Sequence, residues 1–362
     1  MTDRLYLRPT GFVDAPFGYD GQVLRLAGGL TFFAMIELIL VRNGDRVGQT
    51  LLPVQAFESA LASFSSEIQE QARATISRLT GPRAPLKLGA RTIPLDQPQV
   101  MGILNVTPDS FSDGGAHRDP TAHAMDMLQA GAALIDVGGE STRPGAKPVW
   151  EGDEIERVRP VIEMLAASGA AVSIDTRKAG VMEAAFEAGA TLVNDVSALS
   201  WDDRALEVVA KRGCPVVLMH HRGAPETMQQ DPRYDDVLIE VYDWLEARIA
   251  TAVAAGIDRA KILVDPGIGF GKTLRHNLSL LNNLSLFHGL GCAMVLGVSR
   301  KRSIGALSGE APVDQRLGGS IAFATLAAAQ GVQLFRVHDV PESIQALRIW
   351  RGLRDEALAP VR

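Results

Sequence analysis

The chain has 362 residues, long enough for one large domain and a smaller one. Hydrophobic residues make up 46% and charged residues 22%, the balance of an ordinary soluble globular enzyme. The net charge of −6, from 36 basic and 42 acidic residues, gives no electrostatic reason to expect nucleic acid or an anionic membrane as a partner, so any phosphate site has to be a local cluster of Arg, Lys and backbone N–H groups.

The sequence opens Met-Thr-Asp-Arg-Leu, without a basic region followed by an apolar core, so no signal peptide is expected. The most apolar early stretch, residues 23–41, holds Arg25, Glu37 and two glycines. Those residues argue against a membrane span and predict a buried strand–helix unit instead. One helix is expected over residues 53–79. Gly81, Pro82, Pro85, Gly89, Pro94 and Pro98 then crowd a short stretch, as in an irregular connection. They divide the chain into a smaller α+β region, residues 1–95, and a second domain, residues 96–362. The two cysteines, Cys214 and Cys292, have no metal-type spacing, so a reducing cytosol is the simplest setting.

From residue 100 onward, short apolar runs alternate with amphipathic stretches. The runs are 100–106, 133–137, 171–174, 191–196, 215–219, 262–264, 293–298 and 333–337. Between the fifth and sixth, Val237, Val241, Leu245 and Ile249 recur every four residues, the mark of an amphipathic helix. Pro160 interrupts another helical pattern and is expected to kink that helix or mark its start. Eight βα units in about 260 residues predict a TIM (β/α)8 barrel, with a doubly wound open sheet as the alternative. The count of eight favours the barrel. So do the polar residues at nearly every strand end, because a barrel gathers those ends on one face.

Those ends carry the chemistry. The first reads Asn105-Val106-Thr107-Pro108-Asp109-Ser110-Phe111-Ser112-Asp113-Gly114-Gly115, and the second Asp136-Val137-Gly138-Gly139-Glu140-Ser141-Thr142-Arg143-Pro144-Gly145. The third and fourth end in Asp175-Thr176 and Asn194-Asp195, and the fifth in His220-His221. The sixth reads Asp265-Pro266-Gly267-Ile268-Gly269-Phe270-Gly271-Lys272, the seventh Ser299-Arg300-Lys301 and the eighth Arg336-Val337-His338-Asp339. Buried carboxylates and an Asn suit the amino, amide and ring-nitrogen edge of a guanine-like heterocycle. Arg336 and His338 alternate along one strand, so both point to one side, as an anion site requires. Taken singly, a strand-end Asp is more often a helix cap, and His338 could equally be a structural histidine bonded to Asp339.

In this order the motifs resemble the dihydropteroate synthases, from about residue 100 to residue 353; residues 1–95 are outside the resemblance. It implies transfer of a pterin pyrophosphate onto p-aminobenzoate, with loss of pyrophosphate, in folate synthesis. It also implies roles. Asp265, Asn194, Asp175 and Lys301 would contact the pterin. Arg336 and His338 would hold the pyrophosphate, and Asn105 would give an oxygen to Mg²⁺. Phe111 and Pro144 would lie beside the p-aminobenzoate, with Ser299 near its carboxylate; Thr142, Arg143 and Phe270 would also bind substrate, with Phe111 and Arg143 on loops that close over the site. Asp175, Lys301, Arg336 and His338 are the catalytic candidates. A cytosolic homodimer that sulfonamides inhibit is the family expectation. The alternatives are a pterin-dependent methyltransferase of the same superfamily and a silent pterin-binding paralogue.

Two other motifs invite a different reading. Gly271-Lys272-Thr273 looks like the end of a P-loop, but the glycine required five residues before Gly271 is Pro266. His220-His221 looks like a metal pair, but adjacent strand residues face opposite sides.

Overall fold

The structure is a computed structural model describing residues 3–107, 119–141, 149–224 and 227–359. Phe111, Thr142, Arg143 and Pro144 lie outside the described residues.

The N-terminal region begins with an antiparallel sheet. Strand β3 (Phe32–Arg42) pairs along one edge with β1 (Asp3–Val13), and along the other with β2 (Leu24–Arg25) and β4 (Asp45–Pro53). Residues 23–41 are therefore two strands and not the strand–helix unit expected. The cause is burial of β3 on both faces. Ile36 and Leu38 pack on the region's own helices, while Ile39 and Val41 join Tyr6 in the core shared with the second domain. Such a strand is apolar almost throughout and lacks the alternation that would mark it. The single helix expected at 53–79 is also split, into α1 (Phe57–Leu61) and α2 (Ser66–Thr80). Ser65 starts the second by accepting from the Ile68 N–H at 3.5 Å.

A hairpin of β5 (Leu86–Leu88) and β6 (Arg91–Ile93) follows. Its Leu86, Leu88 and Ile93, with Leu95, pack against Met101, Leu134, Leu192, Leu263 and Leu334 at the floor of the second domain. The hairpin therefore lies with that domain, although it precedes the division drawn at residue 95.

The second domain is a closed parallel barrel with strands in chain order. It runs β7 (Gln99–Asn105), α3 (Pro120–Ala130), β8 (Leu134–Gly138), α4 (Glu151–Ala167), β9 (Val172–Asp175), α5 (Ala179–Ala188), β10 (Leu192–Asp195), α6 (Ala205–Arg212) and β11 (Val216–Met219). It continues α7 (Val237–Ala254), β12 (Ile262–Asp265), α8 (Leu274–Asn282), β13 (Ala293–Leu296), α9 (Arg302–Leu307), α10 (Leu317–Ala329), β14 (Leu334–Val337) and α11 (Val340–Ala357). All eight expected runs are strands, and β14 pairs with β7 to close the ring. Pro160 lies inside α4 without ending it, on the exposed side, where a missing N–H costs least.

Strand alternation builds the site. In β8, β9, β10 and β12 one set of side chains, including Ile135, Val137, Ile174, Val193 and Val264, packs outward on the helices. The other set begins with an apolar floor and ends in Asp136, Asp175, Asn194 and Asp265. Apolar side chains thus fill the lower barrel, and polar ones share its upper, C-terminal layer.

Candidate active site

Arg336 is at the centre of the polar layer. Its Nε donates to Asp136 Oδ2 at 2.6 Å, and its Nη2 donates to Asp175 Oδ2 at 2.6 Å. Asn194 Nδ2 donates to the same Asp136 oxygen at 2.9 Å. The motif at the second strand end does not by itself mark Asp136; its signal is its place in the inward set, two residues before Gly138. Burial disfavours the Arg336 charge, but Asp136 and Asp175 outweigh that and raise its pKa. Burial pushes Asp175 up to about 7, against the opposing pull of Arg336, and the neighbouring Asp136 adds to the rise. The Oδ1 atoms of Asp136 and Asp175 are buried without a hydrogen-bond partner among the described residues. Two orphaned acceptors in one layer are costly unless a donor meets them.

Asp265 is not the cap of the following helix, which Thr273 provides; it closes the turn that begins the loop. Its Oδ1 accepts from the Gly267 N–H at 2.7 Å, while Oδ2 lies beside the bare backbone of Gly297. Burial raises its pKa, opposed by that hydrogen bond and by Lys301. The loop that follows is pressed onto its neighbour. Gly267 has φ +68°, and a Cβ there would stand 1.8 Å from the His220 carbonyl oxygen. A side chain has no room at that position.

Lys272 holds this loop from beneath. Its Nζ donates to the carbonyls of Gly267 at 2.9 Å and Phe270 at 3.0 Å, and lies 2.8 Å from His220 Nδ1. Lys272 is thus spent on internal acceptors, and Thr273 after it caps α8. Burial drives the Lys272 pKa well down, with Asp265 opposing. His220 is a packing residue, set edge-on to Trp244. Above the loop, the Lys301 ammonium sits 4.3 Å from the centre of the Phe270 ring.

Ser299 and His338 come together, with the His338 N–H donating to Ser299 Oγ at 3.2 Å and Nδ1 lying 3.0 Å from it. Asp339, the alternative partner for His338, instead pairs with Arg300, whose Nε reaches Oδ2 at 3.0 Å. Arg300 has φ +55°, an uncommon conformation for a non-glycine residue. Its N–H donates to Ser320 Oγ at 2.9 Å, and its carbonyl accepts from Arg316 at 3.1 Å. These contacts fix the turn that separates Ser299 from Lys301.

Asn105 ends β7. Its Oδ1 and Asp175 Oδ2 both lie 3.6 Å from where a Cβ on Gly138 would stand, so that glycine leaves open the space beside them. Among the described residues no cluster of three His, Cys, Asp or Glu side chains could cage a metal ion. Mg²⁺ that binds mainly through substrate phosphates and water needs no such cage, and one amide oxygen fits that demand.

Four predicted residues lie beyond the description, but the segment 142–148 has described ends. Lys178 Nζ is 3.2 Å from Glu140 Oε2 before it, and 2.6 Å from both Glu154 Oε2 and the Val149 carbonyl, the latter just after it.

An eight-stranded barrel with a carboxylate–amide–arginine layer at its C-terminal mouth defines an enzyme that binds a polar heterocycle, and the sequence profile of pterin binding enzymes matches residues 101–338. The dihydropteroate synthase of Escherichia coli is 49% identical over 270 residues, covering 73% of this chain and 95% of the relative. The Yersinia pestis dihydropteroate synthase, solved with a sulfonamide drug, superposes with a TM-score of 0.71 at 48% identity, covering 75% of this chain and 99% of that one. The Xanthomonas albilineans enzyme in complex with 7,8-dihydropteroate gives 0.68 at 45% identity, covering 75% and 98%. The chain belongs to the dihydropteroate synthase family.

Proposed function

We propose that this chain condenses 6-hydroxymethyl-7,8-dihydropterin pyrophosphate with p-aminobenzoate, giving 7,8-dihydropteroate and pyrophosphate. The observation that carries the reading is the Asp136–Arg336–Asp175 cluster with its two orphaned carboxylate oxygens, next to Asn194 and Asp265. A pterin edge supplies the N–H donors that such acceptors need. Asp265, Asn194 and Asp175 receive that edge, and Phe270 with Lys301 forms a wall beside the ring.

In this reading Arg336 ties Asp136 and Asp175 together, and its remaining N–H groups act with His338 on the departing pyrophosphate. Bound through Asn105, Mg²⁺ would add charge neutralisation for that leaving group. The aniline nitrogen is a weak nucleophile, so departure of pyrophosphate precedes attack. Asp175 stabilises the positive charge that the pterin methylene carbon shares with its ring. The nitrogen then bonds to that carbon and loses a proton to solvent, with no covalent enzyme intermediate. Ser299 is assigned to the p-aminobenzoate carboxylate, together with Phe111, Thr142, Arg143 and Pro144. Among the described residues no helix is long and apolar enough to cross a membrane. The cytosol is the proposed place of work.

The test is a single-turnover assay with pterin pyrophosphate, p-aminobenzoate and Mg²⁺. Formation of dihydropteroate, lost in Asp175→Asn, is expected. A folded chain that binds pterin but forms no dihydropteroate would overturn the reading in favour of a silent paralogue.

A further inference from the structure

The N-terminal region adds to the barrel a sheet that packs on α7 and on residues 284–290, where Ser285 Oγ donates to the Pro9 carbonyl at 2.7 Å. Tyr6 OH donates to both oxygens of Asp243, at 2.7 and 2.9 Å, and its ring meets Tyr242 edge-on. Arg4 pairs with Asp243 at 2.9 Å and also with Glu246. Nearer the mouth of the barrel, Arg46 at the start of β4 places Nε and Nη2 3.0 and 2.8 Å from Asp236 Oδ2. Asp236 is the N-cap of α7, and its other oxygen accepts from the Leu238 and Ile239 N–H groups.

The segment that leads into this cap is fastened to the loop at residues 266–272. Glu240 in the first turn of α7 accepts from the Asp235 and Asp236 N–H groups and pairs with Arg222 at 2.7 Å. Arg222 stacks 4.0 Å from the centre of the Tyr234 ring, and Tyr234 OH donates to the Gly271 carbonyl at 2.9 Å. Gln229 donates to the Gly269 carbonyl. Gly271, at φ +63°, lies so close to the Arg222 carbonyl oxygen that a Cβ would stand 2.2 Å from it. A continuous set of contacts thus runs from Arg46, through the cap of α7, to the two residues that flank Phe270.

We infer that the N-terminal sheet is a brace for substrate binding, with Arg46, Tyr6 and Asp236 acting as positioning residues for the loop that carries Phe270. The inference rests on the proposed reading of that loop as part of the pterin site. The sheet supplies no group to the chemistry. It holds the start of α7 in place, which keeps the Tyr234–Gly271 contact made and the Phe270 ring set against Lys301. Without the brace the loop samples other positions, so pterin binding weakens while the reaction of the bound pterin is unchanged.

The experiment uses the full chain, the double variant Arg46→Ala/Tyr6→Phe, and pterin pyrophosphate without p-aminobenzoate as the binding probe. The pterin Kd should rise about fivefold, with kcat at saturation within about twofold of the parent, because the contacts removed are a half-exposed ion pair and one hydroxyl bond. Tyr234→Phe should raise the Kd by itself, and adding it to the double variant should cost little more. Arg46→Lys should restore part of the affinity. A merely structural role would lower the active fraction, and hence kcat, with the Kd unmoved; that result, or full additivity with Tyr234→Phe, would overturn the brace. Asp265→Asn separates the two failures. If it abolishes pterin binding while the brace variants bind normally, the brace fails and the site reading stands. If Asp265→Asn binds normally, the site reading has failed.

Discussion

Replacing Arg336 by Ala removes the cation that bonds both Asp136 and Asp175. Two charge-assisted hydrogen bonds of 2.6 Å are lost. At roughly 1.5–3 kcal/mol each they set the scale of the damage, and breaking a buried ion pair costs roughly 3–5 kcal/mol in general. The loss should depend on pH. Burial already holds Asp175 near 7, with Arg336 pulling its pKa down and Asp136 pushing it up. Without Arg336 the upward influences stand unopposed, so folded Asp175 keeps its proton to higher pH, while the unfolded chain releases it near the ordinary carboxylate value. A folded state that binds more protons than the unfolded one loses stability as pH rises. The parent should decline from about pH 4 to about pH 7, whereas in the variant the decline should continue beyond. The deficit of Arg336→Ala should therefore be larger at about pH 8 than at about pH 5.5, by more than about 1 kcal/mol. Urea unfolding of both proteins at the two pH values measures it. Adding Asp136→Asn should recover part of the loss at the higher pH, by removing the second uncompensated charge. An equal deficit at both pH values, or no recovery, would refute the picture of Arg336 as the counter-ion of a carboxylate pair.

His338→Ala should weaken binding of the pterin pyrophosphate by more than about tenfold and leave a phosphate-free pterin nearly unaffected; calorimetry with both ligands decides, and equal weakening would move the anion site elsewhere. Lys272→Met should raise the pterin Kd and lower the melting temperature together, since it deprives the Gly267 and Phe270 carbonyls of their shared donor. A Kd equal to that of the parent would show that the loop does not need it. Sulfonamides should compete with p-aminobenzoate and not with the pterin, and should bind tightly only when pterin pyrophosphate and Mg²⁺ are present. Tight binding to the enzyme alone would rule out an order in which pyrophosphate leaves first.

Much of the barrel was legible because its strands are short, fully apolar at the base and polar at the tip. That pattern follows from alternation inside a closed ring, where each inward side chain is either floor or mouth. Asp175, Asn194 and Asp265 share one parity with the apolar floor residues two or four positions before them, so their convergence could be read once the ring was assumed. Asp136 obeys the same rule, but its role is invisible in the sequence because its partners, Arg336 and Asn194, are 200 and 58 residues away.

The sequence by itself determined the order of the βα units, the polar tips of the strands and the family motifs. Each of these is local or periodic and needs no partner to be visible. Only the tertiary structure decided that Arg336 is shared by two carboxylates, that Lys272 serves carbonyls instead of phosphates, and that β1 and β4, joined through β3, fasten a sheet to α7. The reason is the same in each case. A charge, a donor or an apolar face has its role set by what lies opposite it, and here what lies opposite comes from another part of the chain.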